Sequence, residues 1–204
     1  VIFGMVIGQT ALADAFDGAN NAPNAIYELF IGGVLSASLV PLFARLVDNE
    51  HKENNDIDAI VSTALYVLVS VTVVAVLAAP AIFHLFSLNP SSAVDANAYR
   101  EAGTALTRIF LIQIFFYGTS AITSALLNAR RQFFAAAWSP VLANIVAIGF
   151  LLYIPSVGAT SPPQLGEVMS NNSLLWTLGL STTVGIALMA VTQLLVVRRS
   201  GIRL

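Results

Sequence analysis

Long apolar runs divide the chain, and they restrict what it can fold into more than any short motif does. Each run reaches the length of about 20 residues that a helix needs to cross a hydrocarbon core about 30 Å thick. Charged residues make up only 10% of the chain, against about 25% in an ordinary soluble domain. The sequence therefore predicts an all-α integral membrane protein, a polytopic helical bundle. The full runs cover about residues 22–47, 60–86, 105–127, 135–154 and 174–197.

The first eight residues, VIFGMVIG, are apolar but too short for a span. We expect them to be the end of a truncated first helix, which gives about six transmembrane helices in one domain over residues 1–204. A signal peptide cleaved near the Ala11-Leu12-Ala13 pattern is the alternative, but a basic leading region is missing and more membrane-spanning sequence follows.

Charge in the connecting segments predicts the orientation of the bundle. Arginines and lysine concentrate in residues 45–58, in 128–132 and in the C-terminal tail from Arg198, whereas the other three segments carry five acids and one base, Arg100. Basic loops stay in the cytoplasm, so loops 48–58 and 128–132 and the C-terminus are predicted to be cytoplasmic. The outer segments are then 9–21, 87–104 and 155–173.

Residues 13–41 form the unusual part of the sequence, because acids, amides, glycines and prolines interrupt apolar material there. Pro23 is compatible with the first turn of a helix, and the neighbouring asparagines can cap that start. Glu28 then lies about two turns inside that helix, where an ionised side chain faces a cavity or a partner unless it sits in a wet interface. The capping asparagines are Asn20, Asn21 and Asn24.

Other polar positions in these runs have both structural and functional explanations. Asp14 and Asp17 either stabilise the start of the helix or bind a cation or substrate. Gly32, Gly33 and Ser36 favour close helix packing. Arg108 either extends to the interface or binds a substrate phosphate. Gln113 and Tyr117 line a polar surface or bond a neighbouring helix.

The sequence contains no pattern typical of an enzyme or a metal site. His51 and His84 have no partners at metal-ligand spacing, and there are no cysteines. No nucleophile and base pair, phosphate-binding glycine loop or nucleic-acid-binding motif is present, so no cofactor and no nucleic acid is expected.

Several of these segments contain recognisable short motifs, namely ADAF (13–16), APN (22–24), ELF (28–30), GGVLS (32–36) and VP (40–41), followed by ALLNARRQF (125–133) and SPVLANI (139–145). Together these motifs resemble the MviN/MurJ family of lipid II flippases. With the spans between them they cover nearly the whole chain, and their wording is similar to the actinobacterial branch.

The resemblance implies one lobe of a two-lobed, V-shaped transporter of the multidrug/oligosaccharidyl-lipid/polysaccharide exporter fold. It implies a location in the bacterial plasma membrane and movement of the lipid-linked peptidoglycan precursor from the inner to the outer leaflet by alternating access. Asp14 matches an acidic residue of the family. The implied partners are this precursor, membrane lipids, a C-terminal lobe that the chain lacks, and cell-wall synthesis or division proteins.

The chain also departs from the family pattern. Tyr27 and Glu28 stand where many relatives have two arginines, and Gly32 stands where they have a glutamate. We therefore expect a cavity or coupling role for Asp14, Asn24, Glu28 and Arg108, and a role in helix start and packing for Pro23, Gly32, Gly33 and Pro41. Alternatives are a polysaccharide-lipid flippase or drug/cation antiporter of the same superfamily, and a membrane scaffold that does not transport.

Overall fold

The computed structural model describes residues 2–28, 53–87 and 95–199, and this part of the chain contains helices and no strand. The prediction of an all-α membrane bundle is confirmed. The helices, numbered in chain order, are α1 Ile2–Val6, α2 Ala11–Tyr27, α3 Glu53–Leu77, α4 Ala79–Phe86, α5 Ala96–Leu111, α6 Gln113–Ala129, α7 Phe133–Tyr153, α8 Glu167–Ser170 and α9 Asn172–Arg199, with a 3-10 turn at Ile154–Val157.

Four stretches of the described residues are long and apolar enough to cross a membrane: Ala59–Leu77, Ala96–Ala129, Phe133–Val157 and Asn172–Arg199. Aromatic side chains stay exposed near both ends of α7, at Trp138 and Tyr153, as expected where a helix passes the two membrane interfaces. Most of the predicted span 22–47 lies outside the described residues, so the total of six spans remains a prediction.

Two predicted spans have different bounds in the structure. The span at 60–86 is divided into α3 and α4 at Ala78, because Pro80 lacks the N–H that a continuing helix would use and is instead tolerated in the first turn of α4. The span at 105–127 begins earlier, at Ala96, where the Asp95 carboxylate accepts hydrogen bonds from the amides of Asn97 at 2.9 Å and Ala98 at 3.4 Å. The predicted outer loop 87–104 is therefore helical from residue 96.

The largest correction concerns α2, which begins at Ala11 and not at Pro23. Thr10 is its N-cap, with the hydroxyl oxygen accepting from the Ala13 amide at 3.3 Å. Pro23 lies inside the helix and is buried, a placement that membrane helices tolerate because neighbouring groups compensate for the missing N–H. Asn20, Asn21 and Asn24 are therefore helical residues and not caps, and 11–21 is not an outer loop.

The bundle is packed around α5, α6 and α9. α9 lies against α7 and α6, and α2 lies along α5. Phe83 of α4 covers Gly103 of α5, and a β-carbon at position 103 would overlap the Phe83 ring. Small residues at such crossings let helix backbones approach closely, which is how helices associate in lipid.

Candidate functional site

Polar side chains follow one face of α2 from its first turn to its end. Asp14, Asp17, Asn21, Asn24 and Glu28 are separated by three, four, three and four residues, a spacing that keeps them on one side of a helix. At 1.5 Å per residue they extend over about 21 Å, most of the thickness of a hydrocarbon core. We call these five residues the α2 polar stripe.

The α2 polar stripe is exposed, whereas the opposite face of the helix is buried. Asp14, Asp17, Asn21 and Glu28 are exposed and Asn24 is half-buried. The buried side of α2 contains Leu12, Ala15, Phe16, Ala19 and Ala22. Phe16 packs edge-to-face against Phe110 of α5, with ring centroids 5.1 Å apart. Packing against α5 therefore fixes the rotation of α2 and leaves the stripe free to face a second surface or a cavity.

The C-terminal end of the α2 polar stripe is held by an aromatic contact. Tyr27, next to Glu28, packs on Tyr117 of α6 with ring centroids 5.0 Å apart. Of the two predicted roles for Tyr117, contact with a neighbouring helix is the one observed. Glu28 therefore projects from a helix end that α6 supports.

Arg108 is not joined to the acids of the α2 polar stripe. It is exposed on α5 and has no hydrogen-bond or ion-pair partner among the described residues. Arg108 precedes Phe110 by two residues, and Asp14 precedes Phe16 by two. Two residues correspond to a rotation of about 200° on a helix, so both side chains project away from the contact between these two rings.

A buried amide connects α2 to the centre of the bundle. The Gln113 Nε2 group donates to the hydroxyls of Thr182 at 2.9 Å and Thr183 at 3.0 Å. Thr182 in turn donates to Asn20 Oδ1 of α2 at 3.2 Å. Gln113 thus bonds a neighbouring helix, the second of the two roles the sequence left open, and it holds α2 against α9 just after the one-residue break at Ile112.

A second polar cluster lies closer to the end of α9, around Gln193. Its Oε1 accepts hydrogen bonds from Ser120 at 2.9 Å, Thr123 at 2.8 Å and Ser124 at 3.1 Å. Its Nε2 donates to the Ser139 hydroxyl at 2.6 Å. One side chain therefore connects α6, α7 and α9, which explains how a glutamine is accommodated in a membrane span.

The α2 polar stripe is not among the predictions from the sequence, although the residue spacing that defines it is present there. The three-and-four spacing from Asp14 to Glu28 is readable, but placing the helix start at Pro23 assigned its first three members to a loop. The predicted residues Gly32, Gly33 and Pro41 lie outside the described residues. Pro23 is a packing residue of α2 and not its first residue.

The connection between α7 and α9 is held by hydrogen bonds between Thr160 and Glu167, which we call the Glu167 clasp. Glu167 accepts hydrogen bonds from the Thr160 hydroxyl at 2.5 Å and from the Thr160 amide at 3.0 Å. These two bonds stabilise the ionised form and lower the pKa of the Glu167 carboxyl.

No group of three or more metal-ligating side chains occurs within residues 2–28, 53–87 and 95–199.

Comparison with known proteins gives one consistent family. The family model described as "Lipid II flippase MurJ" matches residues 3–204. A protein of Rhizobium tropici named "Probable lipid II flippase MurJ" is 31% identical over 160 residues, which are 75% of this chain and 29% of that protein. One of Haemophilus influenzae with the same name is 31% identical over 166 residues, 76% of this chain and 31% of that protein.

A protein of Burkholderia cenocepacia named "Lipid II flippase MurJ" is 27% identical over 149 residues, 72% of this chain and 28% of that protein. The chain spans about a third of the length of the curated relatives it matches. No solved structure matches it significantly.

Proposed function

The chain belongs to the lipid II flippase MurJ family, and from this premise we propose that it forms one wall of a path along which a lipid-linked peptidoglycan precursor crosses the membrane. The proposed activity is transfer of that precursor from the inner to the outer leaflet by alternating access, without covalent chemistry. The names of the relatives favour lipid II as substrate over the other lipids and drugs of the superfamily.

The observation that carries this proposal is the α2 polar stripe. An ionised carboxylate facing lipid at the centre of a span costs about 2.5–3.5 kcal/mol on insertion scales. The stripe places acids at both ends of one exposed face, so contact with lipid along its whole length is the least favourable environment for it. A water-filled cavity, completed by the rest of the transporter, accounts for all five residues.

We infer different roles for the two charge types. Asp14 and Glu28 repel a pyrophosphate, so they fit gating or cation coupling better than direct binding of the lipid phosphate groups. Asn24 provides uncharged hydrogen bonds to sugar or peptide groups between them. Arg108, which has no partner in the described part of the chain, is the residue suited to a phosphate oxygen.

The proposed location is the bacterial plasma membrane, with residues 48–58 and 128–132 and the C-terminus in the cytoplasm. Residues 53–58, which the sequence assigns to a loop, are the first turns of α3. The distribution of arginines supports this orientation, since Arg198 and Arg199 occupy the last turn of α9. Alternating access requires a second lobe that moves against this one. Interactions with cell-wall synthesis or division proteins remain part of the proposal.

The test is rescue of a bacterial strain depleted of its own flippase. We expect Asp14→Ala and Glu28→Ala to abolish rescue at normal protein levels, and Asn24→Ala to weaken it. Glu101→Ala is the matched control, because Glu101 is an exposed acid on α5 outside the stripe. Full rescue by both Asp14→Ala and Glu28→Ala would contradict the cavity role of the stripe.

The same experiment separates a transporter from a scaffold. A scaffold that only recruits synthesis enzymes would tolerate the stripe variants and would depend on loop 48–58. Lipid II exposed at the outer surface, measured by cleavage with an externally added enzyme, should fall with Asp14→Ala if the protein transports it. Unchanged exposure and full rescue with Asp14→Ala, together with lost rescue when residues 48–58 are changed, would indicate the scaffold.

A further inference from the structure

A hollow of about 460 Å³ lies where the α6–α7 turn meets the last turns of α9, and none of the residues that line it belongs to the α2 polar stripe. This volume is within the range of small-ligand pockets, about 300–1,000 Å³. We call it the Arg131 hollow. It is lined by Arg131, Gln132, Phe133, Phe134, Ala135 and Val196.

The backbone at Arg131 is unusual for the residue it carries. α6 ends with the Arg131 amide bonded to the Asn128 carbonyl at 3.0 Å and the Gln132 amide bonded to the Leu127 carbonyl at 2.8 Å. This is a Schellman ending, whose C′ position takes a left-handed conformation and is usually glycine. Arg131 holds that position with φ 59°, a conformation that is unfavourable for a residue with a β-carbon. An arginine is therefore present where glycine would fit the backbone better.

The side chain of Arg131 has no structural partner that would account for this choice. It is exposed and makes no side-chain hydrogen bond or ion pair within the described ranges. Phe133 and Phe134, 58% and 75% exposed, provide an apolar wall beside it. Phe134 also packs on Trp138, with ring centroids 6.1 Å apart, so the apolar wall continues along α7.

The position of the hollow identifies the chemistry of its occupant. It lies at one end of two membrane-spanning stretches, where α7 begins at Phe133 and α9 ends at Arg199. That is the level of the lipid headgroups, where anionic phosphates are concentrated beside acyl chains. A guanidinium matches a phosphate oxygen pair, and the aromatic wall matches the adjoining hydrocarbon.

We propose that the Arg131 hollow binds the phosphate headgroup of an anionic phospholipid, with Arg131 on the phosphate and Phe133 and Phe134 against the start of the acyl chains. This inference needs only the membrane placement and is independent of the transported substrate. It differs from general attraction of basic residues to the membrane, because it assigns binding to one arginine held in one preformed hollow.

The experiment uses the purified protein in nanodiscs of phosphatidylglycerol diluted in phosphatidylcholine, with bound lipid counted by native mass spectrometry. We expect Arg131→Gly to lower bound phosphatidylglycerol about tenfold, as for loss of a charge-assisted contact. It should also keep or raise the melting temperature, since glycine suits the left-handed backbone. Arg131→Gln removes the same charge without changing backbone freedom, and should lose lipid equally.

Arg198→Gln is the charge-matched control, because Arg198 is exposed at the end of α9 but does not line the hollow. It should retain phosphatidylglycerol at the wild-type level. Equal losses in Arg198→Gln and Arg131→Gln would mean nonspecific charge attraction and would overturn the proposal. Retention of phosphatidylcholine by the wild-type protein at the same level as phosphatidylglycerol would overturn the proposal as well. Selective binding of undecaprenyl pyrophosphate instead of phosphatidylglycerol would also overturn it.

Discussion

Gly185 of α9 lies directly against the backbone of Ala143 in α7, so closely that a β-carbon at position 185 would be 2.6 Å from the Ala143 carbonyl oxygen. The obstructing atom belongs to the backbone and cannot rotate away. This crossing joins two of the four membrane-spanning stretches of the described chain, and lipid offers little hydrophobic driving force to hold them together. Close contact at Gly185 is therefore one of the interactions on which the bundle depends.

Gly185→Ala should destabilise the protein by about 1–3 kcal/mol, the usual cost of overpacking a tight contact. The measurement is the melting temperature in detergent, followed by size-exclusion chromatography of the heated sample. Gly149→Ala is the matched control, because Gly149 also lies in α7 but has no atom within 4 Å of its added β-carbon. An unchanged melting temperature for Gly185→Ala would show that α7 and α9 can move apart at this contact without loss of stability.

Gln193→Leu should lower the free energy of unfolding by about 1–3 kcal/mol, because three buried hydroxyls and the half-buried Ser124 hydroxyl lose a partner that connects three helices. Leucine approximately keeps the volume, so the effect reports the hydrogen bonds. Thr192→Val serves as the comparison, since the Thr192 hydroxyl bonds only the Leu188 carbonyl of its own helix at 2.8 Å. Chemical denaturation followed by circular dichroism would measure both, and equal stabilities would argue against the cluster.

Arg108→Gln should reduce transport strongly, and Arg108→Lys should reduce it partly. Lysine keeps the charge but loses the planar fork that pairs with two phosphate oxygens. The assay is precursor flipping in vesicles, with initial rates measured at several precursor concentrations. Full activity of Arg108→Lys would instead indicate that Arg108 only extends to the membrane interface.

The stabilisation that the Glu167 clasp provides should depend on pH, in a direction set by the lowered pKa of the Glu167 carboxyl. The stabilisation is fully present above the pKa of the unfolded chain and is lost as the pH falls through the lower pKa of the folded state. We expect protection of the Thr160 amide from hydrogen exchange to be constant near neutral pH and to decrease in acid. Glu167→Gln should give weaker protection at neutral pH and no such decrease. Protection that falls in acid to the same extent in both proteins would exclude the carboxylate as its cause.

The sequence predicted the family and the class of fold correctly. Apolar runs of sufficient length mark the spans at α7 and α9 with small errors in their bounds, because exclusion from water depends on composition and length alone. The motifs from ADAF to SPVLANI predicted the family, and the match of the family model to residues 3–204 confirmed it. The roles assigned to Asp14, Asn24, Glu28 and Arg108 stay predictions.

Errors arose where a local signal competed with tertiary packing. Pro23 and its neighbouring asparagines are typical of a helix start, yet α2 begins at Ala11, directly after the Thr10 cap, because Leu12, Ala15 and Phe16 are buried against the bundle. The continuous run at 60–86 gave no weight to Pro80, which ends one helix and starts another. At Pro23 a short motif was compatible with two structures, and contacts distant in sequence selected one. At Pro80 the missing N–H of proline was a sufficient local cause.

By itself, the sequence determined that this chain is a bundle of membrane helices, since apolar residues over the length of a span leave the backbone no other way to satisfy its hydrogen bonds. It also contained the three-and-four spacing of the α2 polar stripe. Only the tertiary structure decided which face of α2 is exposed, which hydroxyls Gln193 joins and how closely Gly185 approaches Ala143. Those relationships depend on the rotation and separation of helices, which are fixed by packing between residues far apart in the chain.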